Sequence, residues 1–262
     1  MKIKVAAIQP NSTGSKEQVV DRAANLIFSA LSKGVDIACL PEHWLPGQNA
    51  DLREVIGRLK SAVKDFDGLV IAGADFVKYE DKTTIESIVI GGDGRELGVQ
   101  EKVHLFGLEK SMAKPGNSYR IFQFKGVKFG IAICHDLVYP EVVRIFALQG
   151  AEILFVPSRI KREGLDPWEL YAKARALENR LPMVLPNTLA TPKFPGCSLI
   201  VDLFVQEDIV YPRVVAKANE EESTIIAEID TELIREQREQ RLKARRPSTY
   251  SLLLSEYRSK AE

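Results

Sequence analysis

Residues that staple or ligate are scarce in this 262-residue sequence, which has three cysteines and three histidines. Cys39, Cys134 and Cys197 are odd in number and widely spaced, which argues against a disulfide framework and favours a reducing cytoplasm. An excess of charge of either sign is also missing: 36 Lys+Arg face 36 Asp+Glu, for a formal net charge of +0. The broad field that non-specific binding to nucleic acid or an anionic membrane would use is therefore absent. Nowhere do about 18 apolar residues run together, so no membrane-spanning helix is expected. The opening apolar run stops at Gln9-Pro10-Asn11, too early for a signal peptide. No fixed-period repeat, low-complexity tract or Pro/Gly/Ser linker divides the chain.

What is present fits an ordinary globular protein, 45% hydrophobic and 27% charged. A chain of this length buries roughly three quarters of its unfolded surface on folding. We expect one domain spanning residues 1–262.

Strands and helices alternate along it. Ile3 to Ile8 forms a short apolar run. The three- and four-residue steps of Val20, Ala23, Ala24, Ile27, Ala30 and Leu31 then predict a helix ending near Gly34. Strands are expected over 35–40 and 69–74, with a helix over 51–64 between them. A hairpin over 85–90 and 96–102 turns at Gly91-Gly92-Asp93-Gly94. Strand 127–134, helix 140–149, strand 152–156, helix 167–179 and strand 183–185 follow. Residues 198–228 read as purely β, and 234–246 as a charged helix or arm. The alternation implies a mixed-sheet α/β fold.

Three strand ends carry reactive groups. Leu40-Pro41-Glu42 places a carboxylate past one strand, Lys102 an ammonium past another, and Cys134 a thiol where an apolar run turns polar. Catalytic groups in α/β proteins collect at such ends. Each has an ordinary alternative: a solvated glutamate, a surface lysine, a buried small thiol. Cys39 and Cys197 lie in apolar runs and are expected to be core. Neighbouring strand residues face opposite ways, so Cys134 and His135 could pair only if the chain turns between them. The histidines and cysteines show neither i,i+4 nor C-x-x-C spacing, so no metal site is expected. Gly91 to Gly94 matches no phosphate-binding pattern. The basic tail from Arg235 to Arg246 lacks aromatics for stacking on bases and is interleaved with Glu236 and Glu239.

Taken together, the motifs resemble the nitrilase (carbon–nitrogen hydrolase) superfamily, in its amidase-like branch. They run in order: Leu40-Pro41-Glu42; Lys102-Val103-His104; Gly130 to Glu141 around Cys134; Arg144 to Leu154; Arg175 to Asn179; and Gly196 to Asp202. Glu42, Lys102 and Cys134 stand 60 and 32 residues apart, and the likeness runs from Val5 to about Tyr250.

The resemblance implies a four-layer α-β-β-α sandwich and a cofactor-free amidohydrolase that cleaves a small carboxamide to acid and ammonia. Glu42 would be the general base and Cys134 the nucleophile. Lys102 with the His135 backbone N–H would hold the oxyanion, and Glu109 would position Lys102 or the substrate. His135, Ser158 and Arg159 are candidate substrate contacts, with Arg159 and Arg162 placed to hold a carboxylate. An N-carbamoyl amidase, a nitrilase or an idle homologue acting as a binding partner are the alternatives; Cys134-His135-Asp136 departs from the Cys-Trp-Glu of nitrilases. The likeness also implies a homodimer or higher homo-oligomer, with the arm from about residue 235 touching a second subunit.

Overall fold

Strand β1 (Lys2–Gln9) already divides the interior by its alternation. Ile3, Val5 and Ala7 enter one apolar cluster, while Ala6 and Ile8 enter another. That two-residue period marks a strand buried on both faces. The computed structural model describes residues 1–47 and 50–251.

Helix α1 (Lys16–Ser32) starts at Ser15, whose side chain and that of Gln18 cap each other's backbone N–H. It buries the stripe from Val19 to Leu31. Strand β2 (Ile37–Cys39), helix α2 (Ile56–Val63) and strand β3 (Leu69–Ile71) follow, then β4 (Asp75–Lys78), β5 (Thr83–Gly91) and β6 (Glu96–Glu101). After the short helix α3 (Glu109–Met112) come β7 (Ile121–Phe124), β8 (Val127–Ile131), α4 (Pro140–Leu148), β9 (Ile153–Phe155), α5 (Leu165–Asn179) and β10 (Met183–Leu185). A two-stranded pair, β11 (Leu189–Ala190) and β12 (Phe194–Pro195), leads into β13 (Leu199–Gln206), β14 (Ile209–Lys217), β15 (Ser223–Asp230) and helix α6 (Arg235–Lys243).

Two mixed sheets result. The first runs β15-β1-β2-β3-β5-β4, with β6 also on β5; the second runs β14-β13-β10-β9-β8-β7. Each contains three parallel strands joined by helices, β1-α1-β2-α2-β3 and β8-α4-β9-α5-β10. Three apolar cores separate the layers. One lies between α1, α2 and the first sheet, one between the two sheets, and one between the second sheet and α4 with α5. This is the α-β-β-α sandwich that the family resemblance implies. Close approach of α4 needs Gly130, since a Cβ there would lie 2.3 Å from the Phe146 ring.

Several boundaries differ from the sequence expectation. The 51–64 segment is a 3-10 turn, Leu52–Glu54, followed by α2. The strand expected over 127–134 stops at Ile131, because Cys134 takes a left-handed φ of +47° and opens a 3-10 turn, Cys134–Val138. Strands β4 and β7 and helix α3 were not anticipated. The charged tail is the helix α6, and it packs on its own chain: Ile234 joins the third core and Arg238 is buried. Among the described residues, no helix is long and apolar enough to cross a membrane.

Candidate active site

Both sheets contribute side chains to one cavity of about 1260 Å³. Glu42 lies three residues past β2, Lys102 directly past β6, and Cys134 three residues past β8. All three line the cavity. Gly73 holds the Glu42 segment close: its φ is +74°, and a Cβ there would lie 2.1 Å from the Pro41 carbonyl oxygen. The Glu42 N–H donates to the Ser158 carbonyl at 3.3 Å, and the Thr188 hydroxyl donates to the Glu42 carbonyl. The first sheet's loop is thereby tied to the second sheet.

Lys102 is only 1% exposed, and its charge is matched locally. The ammonium donates to Glu42 Oε1 at 2.6 Å and to both oxygens of Glu109, at 2.8 and 2.7 Å. Burial opposes its charge, but Glu42, Cys134 and Glu109 outweigh burial and raise its pKa. Glu109 is lowered to about 2: burial opposes ionisation, and hydrogen bonds and charge from His43 and Lys102 overcome it.

Cys134 sits at the point where strand geometry ends. Its N–H donates to the Pro157 carbonyl at 2.9 Å, and its left-handed backbone aims the residue into the cavity. Asp136 closes the turn by accepting the Ile133 N–H at 3.0 Å. Asp136 also accepts the His104 N–H at 2.8 Å and lies 2.9 Å from His104 Nδ1. The turn that Cys134 opens is thus anchored to the loop that follows Lys102. Burial pushes the Cys134 thiol up, the Glu42 charge pushes it further, and Lys102 and the Arg159 backbone N–H pull it back. A protonated thiol beside a buried carboxylate can pass its proton to that carboxylate as it attacks.

A family model for carbon-nitrogen hydrolases matches residues 4–239. The chain belongs to that family. It is 30% identical over 268 residues to an omega-amidase, NIT2-A, of Xenopus laevis, covering 91% of this chain and 92% of that one. It is also 30% identical to a 2-oxoglutaramate amidase of Bacillus subtilis over 253 residues, covering 91% and 95%. Among solved structures, a carbon-nitrogen hydrolase of Helicobacter pylori G27 aligns with a TM-score of 0.86 at 25% identity, covering 98% of this chain and 100% of that one.

This carbon-nitrogen hydrolase therefore brings Glu42, Lys102, Cys134 and Glu109 to one place. The other candidates divide. Arg159 lines the cavity with its guanidinium 4.1 Å from the Phe194 ring centre, and it has no ion pair or side-chain hydrogen bond among the described residues. His135 lines the cavity beside Phe106 and Tyr139, and burial and Lys102 lower its pKa. The chain does turn between Cys134 and His135, yet the His135 ring contacts Tyr139 at 3.4 Å from Nε2. Ser158 is fully buried outside the cavity wall, with its hydroxyl on the Val156 carbonyl at 2.9 Å. Arg162 is taken up by a two-pronged pair with Glu220, both contacts at 2.6 Å. Cys39 is core as expected, whereas Cys197 is half-buried in the loop between β12 and β13 at φ +60°.

Asp75 carried no sequence signal, and His43 was marked only by its place beside Glu42. His43 and Asp75 join Glu109 through the histidine ring, at 3.0 and 3.1 Å. Glu42, His43 and Glu109 offer ligand atoms within 4.8 Å of one another, a grouping that could hold a metal ion. Yet the Lys102 ammonium bridges both of these carboxylates, and each His43 nitrogen already faces a carboxylate. A cation there would have to displace the lysine.

Proposed function

We propose that this hydrolase cleaves the C–N bond of a small carboxamide, giving an acid and ammonia through a Cys134 thioester. The observation that carries this reading is the convergence of a buried carboxylate, a buried ammonium and a thiol from three strand ends on one cavity. Glu42 takes the Cys134 proton as the sulfur attacks the amide carbon. The carbonyl electron pair moves onto oxygen, where Lys102 and the His135 N–H stabilise it; no backbone carbonyl accepts that N–H among the described residues. Collapse breaks the C–N bond as Glu42 returns the proton to the departing nitrogen. Glu42 then takes a proton from water, the water oxygen attacks the thioester, and the sulfur leaves and recovers its proton.

Glu109 accepts from Lys102, from His43 and from the Phe106 N–H at 2.7 Å, so its oxygens are saturated. Its role in this scheme is to fix Lys102 rather than to bind substrate. Arg159, unpaired on the cavity wall, suits a carboxylate at the far end of the substrate. The names of the omega-amidase and 2-oxoglutaramate amidase relatives fit an amide substrate. Ser158 serves as a backbone tie between loops in this reading. A cytoplasmic homodimer belongs to the same reading, supported by three free thiols and by Leu148 and Leu170 exposed on the outer helices.

The test is ammonia release across a panel of small carboxamides, nitriles and carbamoyl compounds. Carboxamides should yield ammonia with the parent and none with Cys134→Ala. No ammonia from any compound would favour an idle homologue, and release confined to carbamoyl compounds would favour an N-carbamoyl amidase.

A further inference from the structure

His43 follows Glu42 directly and takes a left-handed φ of +46°. That turn brings its ring back into the site. Nδ1 lies 3.0 Å from Asp75 Oδ1, and Nε2 lies 3.1 Å from Glu109 Oε1. A neutral imidazole carries one N–H and one lone pair, so one end would aim a lone pair at a carboxylate oxygen. With the ring facing two carboxylates, both contacts are hydrogen bonds only when the ring holds two protons. Asp75, His43, Glu109, Lys102 and Glu42 then form a continuous chain of alternating charge.

We propose that Asp75 and His43 are positioning residues for Lys102: they hold Glu109 from the sheet side, so that the ammonium keeps its place between Glu109 and Glu42 as the oxyanion forms. The idea rests on the cysteine-hydrolase reading above.

Helix α3 explains why such a hold is needed. It is one turn long, buries none of its residues, and follows a loop in which Phe106 is 62% and Leu108 82% exposed. Packing of α3 therefore does little to fix the Glu109 carboxylate; its hydrogen-bond partners do, and of these the Phe106 N–H belongs to the same exposed loop. Asp75, by contrast, is buried at the start of β4, and its carboxylate also accepts the Phe76 N–H at 2.9 Å and the Leu45 N–H at 3.4 Å. The pair thus ties the Glu109 carboxylate, carried on an exposed helix, to the first sheet.

Charge points the same way. Three carboxylates and two cations leave the set one charge negative; without the imidazolium it would be two charges negative around a thiol that must give up a proton. Burial disfavours the His43 cation, but Asp75, Glu109 and Glu42 outweigh burial and raise its pKa to about 10. The groups facing the ring are Asp75 from β4, Glu109 from α3 and Glu42 on its own segment, with Lys102 and Cys134 beyond them and the Phe76 ring 5.0 Å away.

The test is the pH profile of kcat and KM for ammonia release in the full-length protein. Asp75→Asn should lower kcat roughly tenfold to a hundredfold through misplacement of Lys102, with KM little changed. Its alkaline limb should move to lower pH by at least about one unit, because the ring loses its second proton earlier. Asp75→Glu should restore part of that limb. His43→Gln keeps a donor towards Glu109 but no charge; it should lose the parent's alkaline limb, and it carries the test if Asp75→Asn does not fold. A folded Asp75→Asn or His43→Gln with the parent's kcat and limb would overturn the proposal, as would a fall in kcat with the limb unmoved. Cys134→Ala is run alongside: ammonia release surviving there would refute the cysteine hydrolase itself, independently of Asp75.

Discussion

Replacing Lys102 by Met removes one charge and keeps most of the side-chain volume, so it isolates what the ammonium does. In the parent, that ammonium makes three contacts of 2.6–2.8 Å to two carboxylates and is 1% exposed. Deleting one partner of a buried ionic set leaves uncompensated charge, at a cost of about 3–5 kcal/mol. For a protein of this size each kcal/mol moves Tm by roughly 2–4 °C. A fall of about 10 °C at pH 8 is therefore expected. The sign of the pH dependence follows from Glu109, which the parent holds at about 2 with Lys102 and His43. A carboxylate held that low stabilises the parent above its unfolded pKa and loses this only as pH falls through the folded value. If loss of Lys102 lets burial carry Glu109 above its unfolded value, the folded variant takes up a proton first as pH falls, so Lys102→Met should regain stability between pH 8 and pH 5 while the parent does not. Adding Glu109→Gln to Lys102→Met should recover part of the loss, a non-additive result that marks direct coupling. Denaturant unfolding at both pH values measures this. The kcat for ammonia release should fall by at least about a hundredfold, the cost of losing one oxyanion donor. A Lys102→Met protein with the parent's Tm at pH 8 and flat pH dependence would refute the electrostatic account.

Arg159→Ala should raise KM by roughly tenfold or more for amides bearing a distal carboxylate, the worth of one charge-assisted hydrogen bond. It should leave neutral amides unaffected, and equal effects on both classes would remove Arg159 from the substrate site. Gly73→Ala forces a side chain onto a backbone at φ +74° and 2.1 Å from the Pro41 carbonyl oxygen. Unfolding measurements should show a loss of about 2 kcal/mol or more. Because Pro41 precedes Glu42, kcat should fall as well; unchanged stability would show that the loop adapts.

The mixed α/β character was legible because the strands are apolar and the longer helices amphipathic: β1 alternates between two cores, and α1 buries one continuous stripe. The four-layer arrangement came from the family resemblance. Glu42, Lys102 and Cys134 were legible as separate candidates because each stands where an apolar run meets a polar residue; the family resemblance joined them into one set. Helix α3 was not, since a turn with no buried residue leaves no apolar period to read. Strand β4 was missed for a related reason: it is four residues long and alternates only weakly, and its place comes from antiparallel pairing with β5. Without β4 there was no means of seeing that Asp75 meets His43, a contact between residues 32 apart. Ser158 shows the opposite failure. Its position past β9 suggested substrate binding, but the hydroxyl turns back to the Val156 carbonyl and away from the cavity. The left-handed backbone at Cys134 also escaped the sequence, because the run from Val127 to Cys134 is apolar throughout apart from Lys128.

The three cysteines have separated into a core residue, a half-buried loop residue and the one thiol that faces the cavity beside Glu42 and Lys102. Intact-mass analysis of the protein, quenched by acid during turnover of an amide substrate, tests most directly whether that thiol is the nucleophile. An added mass equal to the acyl group is expected, mapped by peptide digestion to Cys134 and absent from Cys134→Ala. Steady ammonia release with no adduct on Cys134, or turnover by Cys134→Ala, would contradict it.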